Sequence, residues 1–201
     1  KKKITKFITF SGALIYDEKK LKLPCKENAD LDPYKNNYIF SKYLVEQLAR
    51  TYSSLLPIIN IRLSNIYGPS HLKRPDLINN LFSQSFKKNK KILVNNILPK
   101  RDFIFGPDVA EAIIKLLKTD YRGMINIGSG QLTSVKDICK HIESITSKKI
   151  INLKKKVSGP YNYCHDISLL QSLINWKPKT SLKIGLNITY KESKVFISKE
   201  K

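Results

Sequence analysis

Two short, β-branched apolar runs separated by one amphipathic helix constrain this chain more than any other feature. Residues 6–11 (KFITFS) and 57–63 (PIINIRL) are closed by turn residues, Gly12 after the first and Gly68-Pro69 after the second. Between them, residues 37–52 place Ile39, Tyr43, Val45, Leu48 and Ala49 at broadly helical spacing. A strand, a crossover helix and a second strand make a parallel pair in an α/β fold. Parallel strands need helices on both faces. Two identifiable strands and one crossover are too few for that, so the rest of the sheet is expected elsewhere in a longer protein. The opening residue Lys1 and the lone Met124 suggest the same.

Downstream the pattern loosens. Residues 17–35 are polar, contain Pro24 and Pro33, and read as a surface connection. A helix is expected over 76–86 and a short strand over 91–94. A further helix over 108–117 has Asp108 as N-cap and Glu111 three residues on. Over 134–145, Val135, Ile138, Ile142 and Ile145 share one helical face. Asp166 and Ser181 are placed to cap two last helices, and Trp176 to pack against the final one.

The formal charge is +21, but arginine occurs only at positions 50, 62, 74, 101 and 122. The excess is lysine scattered among Ile and Asn, whereas phosphate-reading surfaces concentrate the bidentate arginine fork. Specific nucleic-acid binding is therefore not expected, and attraction of anionic small molecules is. Cys25, Cys139 and Cys164 form no CxxC pair, so neither a disulfide framework nor a zinc knuckle follows, and a reducing cytoplasm is the expected location. No apolar run reaches the roughly 18 residues a membrane span needs. Lys1-Lys2-Lys3 and the apolar stretch after it faintly mimic a signal peptide, but Lys6 and Thr9 interrupt that stretch and Asp17-Glu18 end it. His71, His141 and His165 lack metal-ligand spacing and are expected at the surface, with no metal site.

The chemistry is concentrated in Tyr38-Ile-Phe-Ser-Lys42. Residues four apart share a helical face, so the phenol and the ammonium point the same way. A nearby ammonium stabilises a phenolate, and a phenolate can remove an alcohol proton while hydride leaves the same carbon. A Tyr and a Lys at this spacing also arise by chance, so their company matters. The strand ending in Ser11 comes first, then the YxxxK helix, then Arg62-Leu-Ser64-Asn65-Ile-Tyr-Gly-Pro69. Arg101-Asp-Phe-Ile-Phe and Asp108-Val-Ala-Glu-Ala follow, then Asn126-Ile-Gly-Ser-Gly130 and Trp176-Lys-Pro-Lys-Thr180. In this order, over nearly the whole chain to about residue 190, the sequence resembles the extended short-chain dehydrogenases, the NAD-dependent epimerase/dehydratase family acting on nucleotide sugars.

The resemblance implies an α/β fold made of the C-terminal part of a Rossmann-like parallel sheet and a smaller α+β substrate-binding region. Residues 1–62 would be the Rossmann part and 63–201 the substrate part, with 101–118 packing back on the first. It implies Tyr38 as acid/base and Lys42 as its support and ligand of the nicotinamide ribose, with Ser64 beside the nicotinamide, touching it mainly through backbone. It implies Asn65, Arg101 and Lys156 as substrate ligands, NAD (or NADP) as cofactor, a nucleotide sugar as substrate and a homodimer. On the residues alone, Arg62 reads as a buried ion-pair partner, Asn65 as an alternative turn-former, and Asn126–Gly130 as a turn shaped by glycine rather than a phosphate loop.

Three departures from the family bear on activity. No Gly-rich strand–turn–helix precedes these motifs, so NAD affinity of the chain alone is expected to be poor. The family's usual Ser/Thr position falls on Gly12, leaving Ser11, one residue earlier, as the candidate catalytic hydroxyl. Gly106-Pro107-Asp108 alters only the start of a helix. The Asp-Glu pair of the sugar dehydratases is replaced by Ala13 and Leu14, which disfavours elimination of water. A sugar-nucleotide 4-epimerase is the expected activity; a 4-keto reductase or an inactive truncated form are the alternatives.

Overall fold

The computed structural model describes residues 4–69, 76–157 and 159–199, with side chains through residue 196; His71 and Arg74 lie outside them. Strand β1 (Phe7–Gly12) leads through a long connection to helix α1 (Asn37–Thr51), strand β2 (Ile58–Leu63) and strand β3 (Asn65–Tyr67). Helix α2 (Leu77–Ser85), strands β4 (Lys91–Val94), β5 (Lys100–Arg101) and β6 (Phe103–Phe105), and helix α3 (Gly106–Leu116) follow. Next come β7 (Gly123–Ile127), β8 (Thr133–Ser134), α4 (Val135–Thr146), β9 (Lys149–Asn152) and β10 (Asn162–Tyr163). Helices α5 (Ser168–Ile174) and α6 (Leu182–Lys199) close the chain.

The main sheet is parallel, in the order β1-β2-β7, with Phe10 opposite Ile61 and Ile61 opposite Ile125. The third strand is the main correction to the sequence reading. Residues 123–127 were hidden because the glycines that follow drew attention to a turn. Ile125, Asn126 and Ile127 are all buried, so the strand shows neither a polar–apolar alternation nor an unbroken apolar run. Helix α1 packs on one face of this sheet, and α3 and α5 cover the other. There Ile59, Ile61, Ile125 and Ile127 meet Val109, Ala112, Leu116 and Leu170. Trp176 packs in this cluster, beside α3 and α5 and not against the final helix. A second core gathers α2, β4, β6, α4 and α6 around Phe82, Ile92, Phe105, Ile138 and Leu186.

Two local expectations change. Helix α3 begins at Gly106, two residues before Asp108, with Phe105 as N-cap and Pro107 in the first turn, where its missing N–H costs nothing. The Asp108 carboxylate instead accepts from the Lys179 N–H (3.1 Å), the Thr180 N–H (2.9 Å) and the Thr180 hydroxyl (3.0 Å). His165 is fully buried, not at the surface; tertiary packing against Tyr16 and Tyr163 places it there.

Candidate active site

Chain crossing between sheets builds the site. Strand β2 ends at Leu63, and the Ser64 N–H donates to Ile127 of β7 (3.0 Å), still within the main sheet. One residue later the Asn65 N–H donates to the Asp102 carbonyl (3.1 Å), and β3 continues beside β6. This switch places residues 63–65 at the carboxyl end of the parallel strands, next to Gly12 at the end of β1. Ligands of open α/β sheets bind at such ends.

Asn36 caps α1, its side chain accepting from the Ile39 N–H at 3.0 Å. The first turns of α1 thereby hold Tyr38 and Lys42 over the strand ends. Lys42 Nζ lies 5.7 Å from the centroid of the Tyr38 ring and donates to the Phe10 carbonyl at 3.5 Å. Tyr38 is 61% exposed. The two side chains converge on one cleft of about 180 Å³, whose wall also includes Gly12, Ser64, Asn65, Arg101 and Tyr163. Among the described residues that line it there is no carboxylate, while Lys42 and Arg101 are basic, so the cleft suits an anionic ligand.

The other candidates fall in different places. Ser11 is buried, its hydroxyl has no hydrogen-bond partner among the described residues, and it is not part of the cleft wall. Gly12 is: its backbone is ordinarily extended (φ −148°), and a Cβ added there would meet nothing within 4 Å. Asn65 lines the cleft while its Nδ2 donates to the Asp102 carbonyl (2.9 Å), so ligand contact and turn-fixing coexist. Arg101 donates from Nε to the Pro160 carbonyl (3.1 Å) and borders both the cleft and a groove of about 810 Å³. Lys156 lies in that groove, exposed, with Lys87 and Lys91. Arg62 is indeed a buried ion-pair residue, bonded to Glu46 at 2.8 and 2.6 Å.

Sequence reasoning passed over Asp102 and Tyr163. Asp102 is fully buried, and burial raises its carboxyl above the ordinary range despite its donors. Its Oδ1 accepts from the Ser129 N–H (2.7 Å) and hydroxyl (2.6 Å) and from the Ser64 hydroxyl (3.3 Å). Its Oδ2 accepts from the N–H groups of Gly130 (3.2 Å) and His165 (3.3 Å). The loop after β7 thus wraps a carboxylate of its own chain. A Cβ at Gly128 would run into that carboxylate, and Gly130 sits at φ +69°. The loop is a glycine-shaped turn, already filled, and does not fit a cofactor pyrophosphate. At the other end the fit is better: besides the Phe10 contact, the Lys42 ammonium has further N–H groups for ribose hydroxyls.

Tyr163 pairs in register with Arg101 and packs among Ala13, Ile15 and Ile39. The signal in the sequence was faint, one of two tyrosines, Tyr161 and Tyr163, in an irregular stretch. Among the described residues no group of His, Cys, Asp and Glu is placed to hold a metal, and no helix is long and apolar enough to cross a membrane.

The chain is similar to known proteins. Residues 1–128 match the NAD dependent epimerase/dehydratase family. An uncharacterised UDP-glucose epimerase of Bacillus subtilis strain 168 is 31% identical over 190 residues, covering 91% of this chain and 58% of that protein. A UDP-glucuronate 4-epimerase of Thermodesulfobacterium geofontis is 31% identical over 182 residues, covering 85% of the chain and 54% of the relative. The chain therefore spans just over half the length of these relatives. The structure of a UDP-glucuronic acid 4-epimerase from Bacillus cereus, in complex with UDP-glucuronic acid and NAD, is similar with a TM-score of 0.84 and 27% identity. That match covers 96% of this chain and 62% of the other. With its α/β architecture, its ordered motifs and this match over more than half its length, the chain belongs to the NAD dependent epimerase/dehydratase family.

Proposed function

We propose that the chain forms the catalytic acid/base and substrate-binding part of a nucleotide-sugar 4-epimerase. The observation that carries this reading is the convergence of Tyr38 and Lys42 on a cleft shared with Asn65 and Arg101. NAD, when bound, accepts and returns a hydride. Tyr38 takes the proton of the C4 hydroxyl and later gives it back, as a positioned general base and acid. Lys42, its ammonium 5.7 Å from the Tyr38 ring centroid, holds a ribose hydroxyl. Arg101, whose fork of donors suits paired oxygens, holds the diphosphate together with Asn65. The basic groove beyond Arg101, with Lys87, Lys91 and Lys156, receives the nucleotide. Ala13 and Leu14 occupy the cleft wall where a dehydratase would need an acidic pair, so elimination is not supported.

The test is turnover of UDP-hexoses by the full-length protein with NAD, followed by chromatography of the C4 epimers. Tyr38→Phe should lower kcat by about 100-fold or more, the scale of a lost general acid/base. Unchanged turnover would remove Tyr38 from the reaction.

A further inference from the structure

Lysine is spread along the sequence, but acid is not. Residues 77–101 and 144–165 contain none of the chain's 16 Asp and Glu residues, yet each stretch carries five lysines, and the first also carries Arg101. The fold brings the two stretches together. Strand β4 pairs with β9, which sets Lys91 directly opposite Lys149, and β5 pairs with β10. Like charges directly opposite on neighbouring strands destabilise a sheet, so folding gives no reason for Lys91 beside Lys149.

Ordinary structural roles account for little of this charge. Lys148 Nζ donates to the carbonyls of Lys87 (2.7 Å) and Asn89 (2.9 Å), which ties the two lysine-bearing turns together. Helices α2 and α4 end at Ser85 and Thr146, just before those turns. A helix C-terminus attracts cations with about half a negative charge, so the two together offset about one lysine. Among the described residues, none of the lysines in these stretches is in an ion pair.

The charge surrounds one opening. Lys87, Lys91, Arg101 and Lys156 line the groove beyond the cleft. Lys88, Lys90, Lys149, Lys154 and Lys155 are exposed beside them along the chain or across the sheet, and are not part of its wall. Asp76, the one carboxylate among the described residues lining the groove, is engaged as the cap of α2, accepting from the Asn79 N–H (3.0 Å) and Nδ2 (2.7 Å).

From this we propose that these five outer lysines form a capture surface for the diphosphate of a nucleotide sugar, speeding its entry into the groove without touching it once bound. The inference rests on the reading of the groove as the nucleotide site. Charge of one sign around a cleft raises the association rate of an oppositely charged ligand by about 10-fold to 1,000-fold. Such attraction acts at long range and is screened by salt, whereas a direct contact acts mainly on dissociation.

The experiment follows association and dissociation of mant-UDP, a fluorescent nucleoside diphosphate, with the full-length protein by stopped flow. One variant combines Lys88→Glu, Lys90→Glu and Lys149→Glu. A control of equal net charge combines Lys118→Glu, Lys177→Glu and Lys183→Glu, exposed lysines outside both stretches. The first triple should lower the association rate about tenfold at about 20 mM salt and less than about twofold at about 0.5 M, with dissociation within about twofold of the parent. The same three positions changed to Gln should give about a threefold fall at low salt, and the control less than about threefold for its full charge reversal. The replaced side chains are exposed, and Lys149→Glu sets an opposite charge against Lys91, so the urea midpoint should hold. If it falls, the Gln triple decides by the same criteria. An equal fall in the two Glu triples, an unchanged association rate, or an effect carried by dissociation overturns the proposal. If Arg101→Ala speeds dissociation in this assay while the first triple behaves as the parent, only the capture role has failed. If the parent binds no mant-UDP, the nucleotide reading of the groove has failed, and the capture role with it.

Discussion

Arg62 and Glu46 are each about 3% exposed at the side chain, and their two hydrogen bonds offset the removal of both charges from water. Breaking such a pair from one side strands a buried charge. Glu46→Ala should therefore cost about 3–5 kcal/mol in urea unfolding, whereas an apolar replacement of both residues should cost far less. His165 gives a pH test. Burial pushes its ring down to about 3 in the fold, with the Arg62 charge acting in the same direction and the Ile127 carbonyl opposing. Once unfolded, the ring titrates near its ordinary value of about 6.5. As pH falls below that value the unfolded state takes up a proton that the fold refuses, so stability is lost down to about pH 3. Urea midpoints at pH 7.5 and 4.5 should differ less in His165→Asn than in the parent. Asp102, raised by burial, acts in the opposite direction but is common to both proteins.

Helix α3 is fastened at its first turn to a distant loop. The Asp108 carboxylate takes both the Lys179 and Thr180 N–H groups and the Thr180 hydroxyl, which fixes the segment between Trp176 and α6 against the main sheet. Asp108→Ala would leave those donors without their acceptor and should lower stability by about 1–3 kcal/mol, read by thermal unfolding. Motif recognition found Asp108 but gave it the wrong task. An Asp followed three residues later by Glu fits a capping box, and only the position of residues 179–180 reveals the long-range bond. Helix α1 shows the opposite case. Its length and the shared face of Tyr38 and Lys42 were legible, because they depend on neighbours within one or two turns.

At the scale of the molecule, the described residues build a three-stranded parallel sheet in which β1 pairs with β2 and β2 with β7. The sequence by itself determined the α/β class, strands β1, β2 and β4, helices α1 to α5 to within a few residues, the start of α6, and the Tyr38–Lys42 pair. These are set by hydrophobic period and by contacts close along the chain. Tertiary structure alone decided the rest. Strand β7 is recognisable only by its partner, Asp102 acquires its role only when the loop after β7 closes round it, and Ser11 and Tyr163 differ in whether they reach the cleft, not in any local signal. Burial and hydrogen bonding between residues dozens of positions apart are properties of the folded chain, and no local window of the sequence contains them.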